Sequence, residues 1–76
     1  MNELLTLLVR GLVTDAHRVV VREKASAGAT LFELEVARAD RGRVIGRGGQ
    51  TLSALRTLLG AVAARRGESC AIEIVD

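Results

Sequence analysis

Between Arg43 and Leu52 the chain reads Arg-Val-Ile-Gly-Arg-Gly-Gly-Gln-Thr-Leu, a glycine loop between an aliphatic element and the start of a helix. Gly46, Gly48 and Gly49 carry no side chain, so a ligand can approach bare backbone N–H groups. The helix that opens near Gln50 has first-turn N–H groups without intrahelical partners, and its dipole places partial positive charge at that end. Arg47 at the tip and Arg43 just ahead of the loop add two full charges. Residues of these types at this spacing favour an anion, phosphate first among them.

Two nucleotide loops fail as explanations. A Walker loop needs Gly-x4-Gly-Lys-Ser/Thr, and the single lysine, Lys24, is far from the glycines. The dinucleotide fingerprint needs a third glycine where Thr51 stands, and a strand directly before the first. A third pattern is Gly-x-x-Gly joining two helices, the backbone clamp of KH domains, which holds about four nucleotides of single-stranded nucleic acid. Gly46-Arg47-Gly48-Gly49 satisfies it, with Val44-Ile45 ahead and a helical run behind. Four residues fit equally well a loop whose glycines serve turn geometry alone. The surrounding elements have to decide.

A chain of 76 residues with 49% hydrophobic content can fold as one small domain, residues 1–76, without staples. Its apolar residues are almost wholly Leu, Val, Ala and Ile, with Phe32 the sole aromatic. One cysteine, Cys70, leaves no intramolecular disulfide, and no Cys/His grouping suggests a metal; neither metal nor cofactor is expected. Met1 to Leu8 is apolar but has Glu3 in place of a basic n-region, and Arg10 interrupts the run. That argues against a signal peptide or a membrane span and for a cytoplasmic protein. Charge is unevenly placed. From Arg38 to Arg66 seven arginines (38, 41, 43, 47, 56, 65, 66) stand against Asp40 alone, whereas the remainder has four cationic and eight acidic residues. A polyanionic partner for one face follows. Arg65-Arg66 also suit a helix C-terminus.

The periodicities place six elements. Asn2 can cap a helix carrying Leu4, Leu5, Leu8 and Leu12. Residues 18–24, β-branched at Val19-Val20-Val21, suit a strand, and residues 25–29 a small-residue hairpin loop. Residues 30–37 alternate, with Phe32, Leu34 and Val36 on one side and Glu33 and Glu35 on the other. Asp40 can cap a short helix over 41–45. Residues 50–66 form the strongest helix, with Leu52, Leu55, Leu59 and Val62 on one face, Leu58 and Ala63 at its edges, and Gly67 as its stop. Residues 70–75 alternate again, with Cys70, Ile72 and Ile74 inward. The order α-β-β-α-α-β gives an α+β fold. Its three-stranded mixed sheet has 30–37 in the centre, antiparallel to 18–24 and parallel to 70–75, with the helices on one face.

This order, with Gly-x-x-Gly between the fourth and fifth elements, resembles a type II KH domain. The chain is similar over its whole length to the small stand-alone bacterial KH proteins of the KhpA family. The resemblance rests on Glu3-Leu4-Leu5, Arg18-Val19-Val20-Val21, the run Gly42 to Gly49, Ala54-Leu55-Arg56-Thr57-Leu58-Leu59 and Ile72-Glu73-Ile74-Val75-Asp76. It implies RNA binding in the cytosol, homodimers and a second KH-containing partner of the KhpB/Jag type. Gly48 stands where many relatives carry a larger polar residue.

The expected function is therefore single-stranded RNA binding by a Gly-x-x-Gly clamp, with low sequence selectivity, as an RNA chaperone or post-transcriptional regulator. The candidate RNA contacts are Gly46, Arg47, Gly48 and Gly49, with Arg41, Arg43 and Val44. Val44, Ile45 and Leu52 are candidates for an aliphatic groove, although Ile45 fits the core better and Val44 fits either place. The alternative is a protein-interaction module without direct RNA binding. An enzyme is not expected: His17 lies in a polar turn, Asp15 beside it has no positioned nucleophile, and Cys70 reads as a small hydrophobe. On the far side of helix 50–66, Ser53, Thr57, Gly60 and Ala64 form a row of small residues. Gly60 inside a helix costs about 1 kcal/mol relative to alanine, so the row is a candidate dimer contact; packing against a neighbouring helix of the same domain would explain it equally.

Overall fold

In a computed structural model of the chain, which describes residues 1–75, the alternating run after Gly28 forms the central strand of a three-stranded sheet. Strand β1 (Val20–Ser26) pairs antiparallel with β2 (Ala29–Glu35), and β3 (Ser69–Ile74) pairs parallel with β2 on its other side. The register Glu23↔Phe32↔Ile72 and Val21↔Leu34↔Ile74 puts these residues in rows on the face that carries the helices. Phe32 and Leu34 are fully buried there, and Ile72 nearly so. The opposite face carries the pairs Arg22–Glu35 at 3.0 Å and Lys24–Glu33 at 3.3 Å, exposed contacts of small energetic weight. The topology is that of a type II KH domain.

The strand limits differ by one or two residues from the sequence expectation, and the hairpin accounts for the largest difference. The turn is the dipeptide Ala27-Gly28 rather than a loop over 25–29. Gly28 supplies the positive φ of 73° that so tight a reversal needs, and β1 runs on to Ser26.

Three helices cover the inner face: α1 (Asn2–Arg10), α2 (Arg41–Ile45) and α3 (Gln50–Arg65). On α1 the buried residues are Leu5 and Val9, four apart, with Leu4 and Leu8 packed at their sides. Leu12 lies beyond the helix, which ends at Gly11, and it is 37% exposed. Asn2 does not cap α1. Met1 holds the cap position, and the Asn2 amide instead donates to the Val21 carbonyl at 3.4 Å, tying the helix start to β1. On α3 the buried stripe is Leu55, Leu59 and Ala63. Ala63 is central rather than marginal. Leu58 lies roughly 100° from that stripe on a helical wheel and is exposed.

Asp40 departs furthest from expectation. It precedes α2, but its side chain makes no capping bond. Its carboxylate turns away to the α1–β1 connection, where it accepts from the Thr14 N–H at 3.0 Å, the Thr14 hydroxyl at 2.8 Å and the Asp15 N–H at 3.1 Å. At 1% exposure it is the buried charged residue of the described part of the chain. The Thr14 backbone and then its hydroxyl, helped by the Asp15 N–H and Arg43, hold its carboxyl below the ordinary 3.8, against the opposing effect of burial. A carboxyl with a lowered folded pKa contributes stability that is present above its unfolded value and lost as pH falls through the folded one. The gap in urea midpoint between wild type and Asp40→Asn should thus be constant from neutral pH to about pH 4 and narrow below it. A gap that stays constant into strong acid would show that the charge contributes nothing.

Candidate nucleic-acid interface

The glycine loop requires its glycines for two different reasons. Gly46 has φ 78° and ψ 170°, Gly48 φ 63° and ψ 17°, and Gly49 φ 78° and ψ 11°. All three lie where side chains are disfavoured. At Gly46 space is closed as well, since an added Cβ would fall 2.7 Å from Thr51 Cβ and 2.8 Å from Thr51 N. At Gly48 and Gly49 a Cβ would meet nothing within 4 Å among the described residues, so there the conformation alone selects glycine. The turn is closed by the Gly46 N–H to the Gly42 carbonyl at 2.9 Å and the Gly49 N–H to the Gly46 carbonyl at 3.1 Å. It delivers the chain into α3, whose N-cap is Gly49; no described side chain caps it. Arg47 is exposed at the tip.

The other expected contacts divide. Arg43 is exposed, but its Nε lies 3.7 Å from Asp40 Oδ1, so part of its charge is already answered. Arg41 is half-buried at the start of α2. Val44 is fully buried in the common core, while Ile45 is 39% exposed. That reverses the place expected for Ile45, which presents an apolar surface beside the loop, and gives Val44 the core place of the two open to it, so the Val44 side chain, a candidate RNA contact, lines no groove. Leu52 is half-buried against the core. Asp40 and Val44 are four apart, so they share one face of α2.

The basic stretch is also divided in space. Arg56 donates to the Ile72 carbonyl at 3.2 Å. Since Ser69 donates to the Gly28 carbonyl just before β2 and Val75 to the Leu34 carbonyl within it, the alternate residues of β3 turn their backbone to the open edge, and Arg56 covers part of it. Arg65 and Arg66 stand at the far end of α3, about 24 Å from the loop by helical rise. The cations left at the loop end are Arg38, Arg41, Arg43 and Arg47.

A shallow, mostly apolar concavity of about 650 Å³ runs from Gly48 and Gly49 past Ser53 and Thr57 to Leu58 and Ala61. It joins the glycine loop to the outer side of α3, the side that carries the small-residue row. Ser53, Thr57 and Ala64 are exposed there and Gly60 half-buried. No described atom lies within 4 Å of a Cβ built on Gly60, so packing within the chain does not account for that glycine. Among the described residues no group of three or more His, Cys, Asp or Glu could hold a metal ion.

The family model described as "KhpA/KhpB, KH domain" matches residues 2–74. The chain is 37% identical to the RNA-binding protein KhpA of Chlamydia trachomatis, over 100% of this chain and 97% of that protein. It is 38% identical to the RNA-binding protein KhpA of Borreliella burgdorferi, over 97% of this chain and 90% of that one, and 33% identical over the full length of both to that of Listeria monocytogenes. No solved structure matches it. The chain belongs to the KhpA/KhpB KH-domain family, a family of binding modules and not of enzymes.

Alanine at the loop glycines should separate their two roles. Gly46→Ala combines a disfavoured φ with a collision against Thr51 and should cost about 2–3 kcal/mol. Gly48→Ala, strained but unobstructed, should cost about 1 kcal/mol. Chemical denaturation of the two variants measures this; equal losses would refute the distinction.

Proposed function

We propose that this member of the KhpA/KhpB family binds single-stranded RNA, with the backbone of residues 46–49 and the open N-terminus of α3 holding the sugar-phosphate chain. The observation that carries the reading is the loop itself. Three glycines in left-handed or extended positive-φ conformations leave the turn without side chains at those positions, and Gly48 is exposed beside exposed Arg47, at the positive end of a sixteen-residue helix. Arg43 and Arg41 supply further charge, and Ile45 and Leu58 supply apolar surface for bases. The relatives' names, RNA-binding protein, support the same ligand.

Selectivity should be low. The sole aromatic residue, Phe32, is fully buried, so base stacking of the kind other single-strand binders use has no platform. Such a protein suits the work of an RNA chaperone or post-transcriptional regulator in the cytoplasm. Among the described residues no helix is long and apolar enough to cross a membrane. A second KH-domain protein of the KhpB/Jag type is the partner proposed beside RNA. A protein-interaction module without direct RNA contact is the competing reading, favoured by the apolar outer side of α3.

Four phosphate contacts would give log K against log salt a slope of about −2.8, roughly fifty-fold between 50 and 200 mM. Arg47→Glu should remove most of the affinity with little change in melting temperature, because Arg47 is exposed at the tip of the loop. Salt-independent binding, or full affinity in Arg47→Glu, would favour the competing reading.

Self-association through the outer side of α3 belongs to the same proposal, since two clamps on one particle raise avidity for longer RNA. Thr57→Arg and Gly60→Phe should both give folded monomers by sedimentation, with weakened binding to long RNA and near-normal binding to short oligonucleotides. Gly60→Ala, by contrast, fills open space in a helix interior and should gain about 1 kcal/mol in the monomer. A wild type that sediments as a monomer at high concentration would place no interface there.

A further inference from the structure

Helix α2 is too short to hold its own direction. Five residues close little more than one turn, and isolated helices shorter than about a dozen residues are marginal in water. Its orientation is set by what its side chains grip, and two residues grip deeply. Asp40, at its N-terminal boundary, and Val44 lie four apart on one face, at 1% and 0% exposure. Val44 enters the common core. Asp40 grips the α1–β1 connection through the Thr14 N–H, the Thr14 hydroxyl and the Asp15 N–H. Gly42, Arg43 and Ile45 are exposed, and the glycine loop begins at the next residue, Gly46, whose N–H returns to the Gly42 carbonyl.

We propose that Asp40 is a positioning residue for the anion clamp: its bonds to Thr14 and Asp15 fix the direction of α2, and so the place of Arg43 and of residues 46–49 against the start of α3. The inference rests on the RNA reading for its ligand, while its effect on the loop is independent of any ligand. It explains an otherwise awkward arrangement. A carboxylate 3.7 Å from Arg43, close to an anion site, lowers anion affinity through its charge. Charge and positioning therefore predict opposite signs. Removing the carboxylate charge should tighten polyanion binding if Asp40 acts only as a charge, and weaken it if Asp40 orients the clamp.

Asp40→Asn keeps the size, removes the charge and turns an N–H₂ group toward one of three donors. Thr14→Val removes the hydroxyl and leaves the charge, while Thr14→Ser keeps both bonding groups. Affinity for a short single-stranded oligouridylate is measured well below the melting temperature, on protein shown folded by circular dichroism. Asp40→Asn should bind about tenfold more weakly, Thr14→Val should weaken in the same direction, and Thr14→Ser should match wild type. The double variant should be no worse than the weaker single one, because both act through one contact. Equal or tighter binding by folded Asp40→Asn overturns the proposal; if that variant does not fold, equal binding by Thr14→Val does so. A wild type that binds no oligouridylate refutes the RNA reading separately. The loop is then followed without ligand. The Gly46 and Gly49 amides should exchange with solvent faster in Thr14→Val than in wild type, while those of Leu55 and Leu59 stay protected. Unchanged loop exchange overturns the positioning role.

Discussion

A carboxylate withdrawn from water must find donors for its oxygens or lose its charge. Asp40 finds three, and all three belong to a connection far away in sequence, at Thr14 and Asp15. That requirement shapes the end of the molecule where the glycine loop stands. The α1–β1 connection has to fold back over the start of α2 to supply its N–H groups, and the residue just before α2 has to turn inward. With Val44 already drawn into the core by its own apolar surface, both ends of the shared face are fixed. Only then does Gly46 arrive beside Thr51, in the crowded position that excludes any side chain.

Helix α3 works on the two sides of its axis in different ways. Leu55, Leu59 and Ala63 pack inward, anchoring the helix along its length. Its first turn receives the chain from the glycine loop, and its outer side is left small and apolar. The rigidity gained from the packed side keeps the N-terminal N–H groups in place, a condition for holding an anion without paying for reordering at each encounter. The charges divide along the same axis. Arg47 and Arg43 belong to the loop end, Arg65 and Arg66 to the opposite end, and Arg56 to the open edge of β3. A run of seven arginines in sequence is thus several separate features in space.

Element order, sheet topology and the glycine loop were legible in the sequence because each rests on local periodicity or local backbone need. Phe32, Leu34 and Val36 alternate cleanly, and Gly46 to Gly49 have the spacing of a clamp. Contacts between distant segments were not legible. Asp40 before a short helical run has the pattern of a cap, and nothing local distinguishes a carboxylate that bonds its own helix from one that bonds a loop twenty-five residues away. Ile45 was expected in the core and Val44 was left open for a related reason. In a five-residue helix two adjacent apolar residues fit either face, and the choice falls to the buried anchor four residues before one of them. Leu58 and Ala63 were both expected at the edges of the apolar face, but Ala63 falls within the angular range of the buried stripe and Leu58 outside it. The turn Ala27-Gly28 was legible in type but not in length, because small residues on both sides blur the ends of the strands.

The place of Phe32 bears on what kind of recognition the fold permits. A protein that reads bases needs flat surfaces to stack them or directed polar groups to bond their edges. Here the one aromatic ring is enclosed by the core, and the surface beside the loop is formed by Ile45, Leu58, alanines and small hydroxyl residues. These offer contact without direction. On the proposed reading, affinity must then come from the phosphates, through backbone N–H groups and arginines, and such affinity is shared by all sequences. Arginine in place of lysine at every cationic position but Lys24 acts in the same sense, because the planar guanidinium meets phosphate through paired hydrogen bonds. On that reading the fold would hold a backbone firmly and leave the bases largely unread.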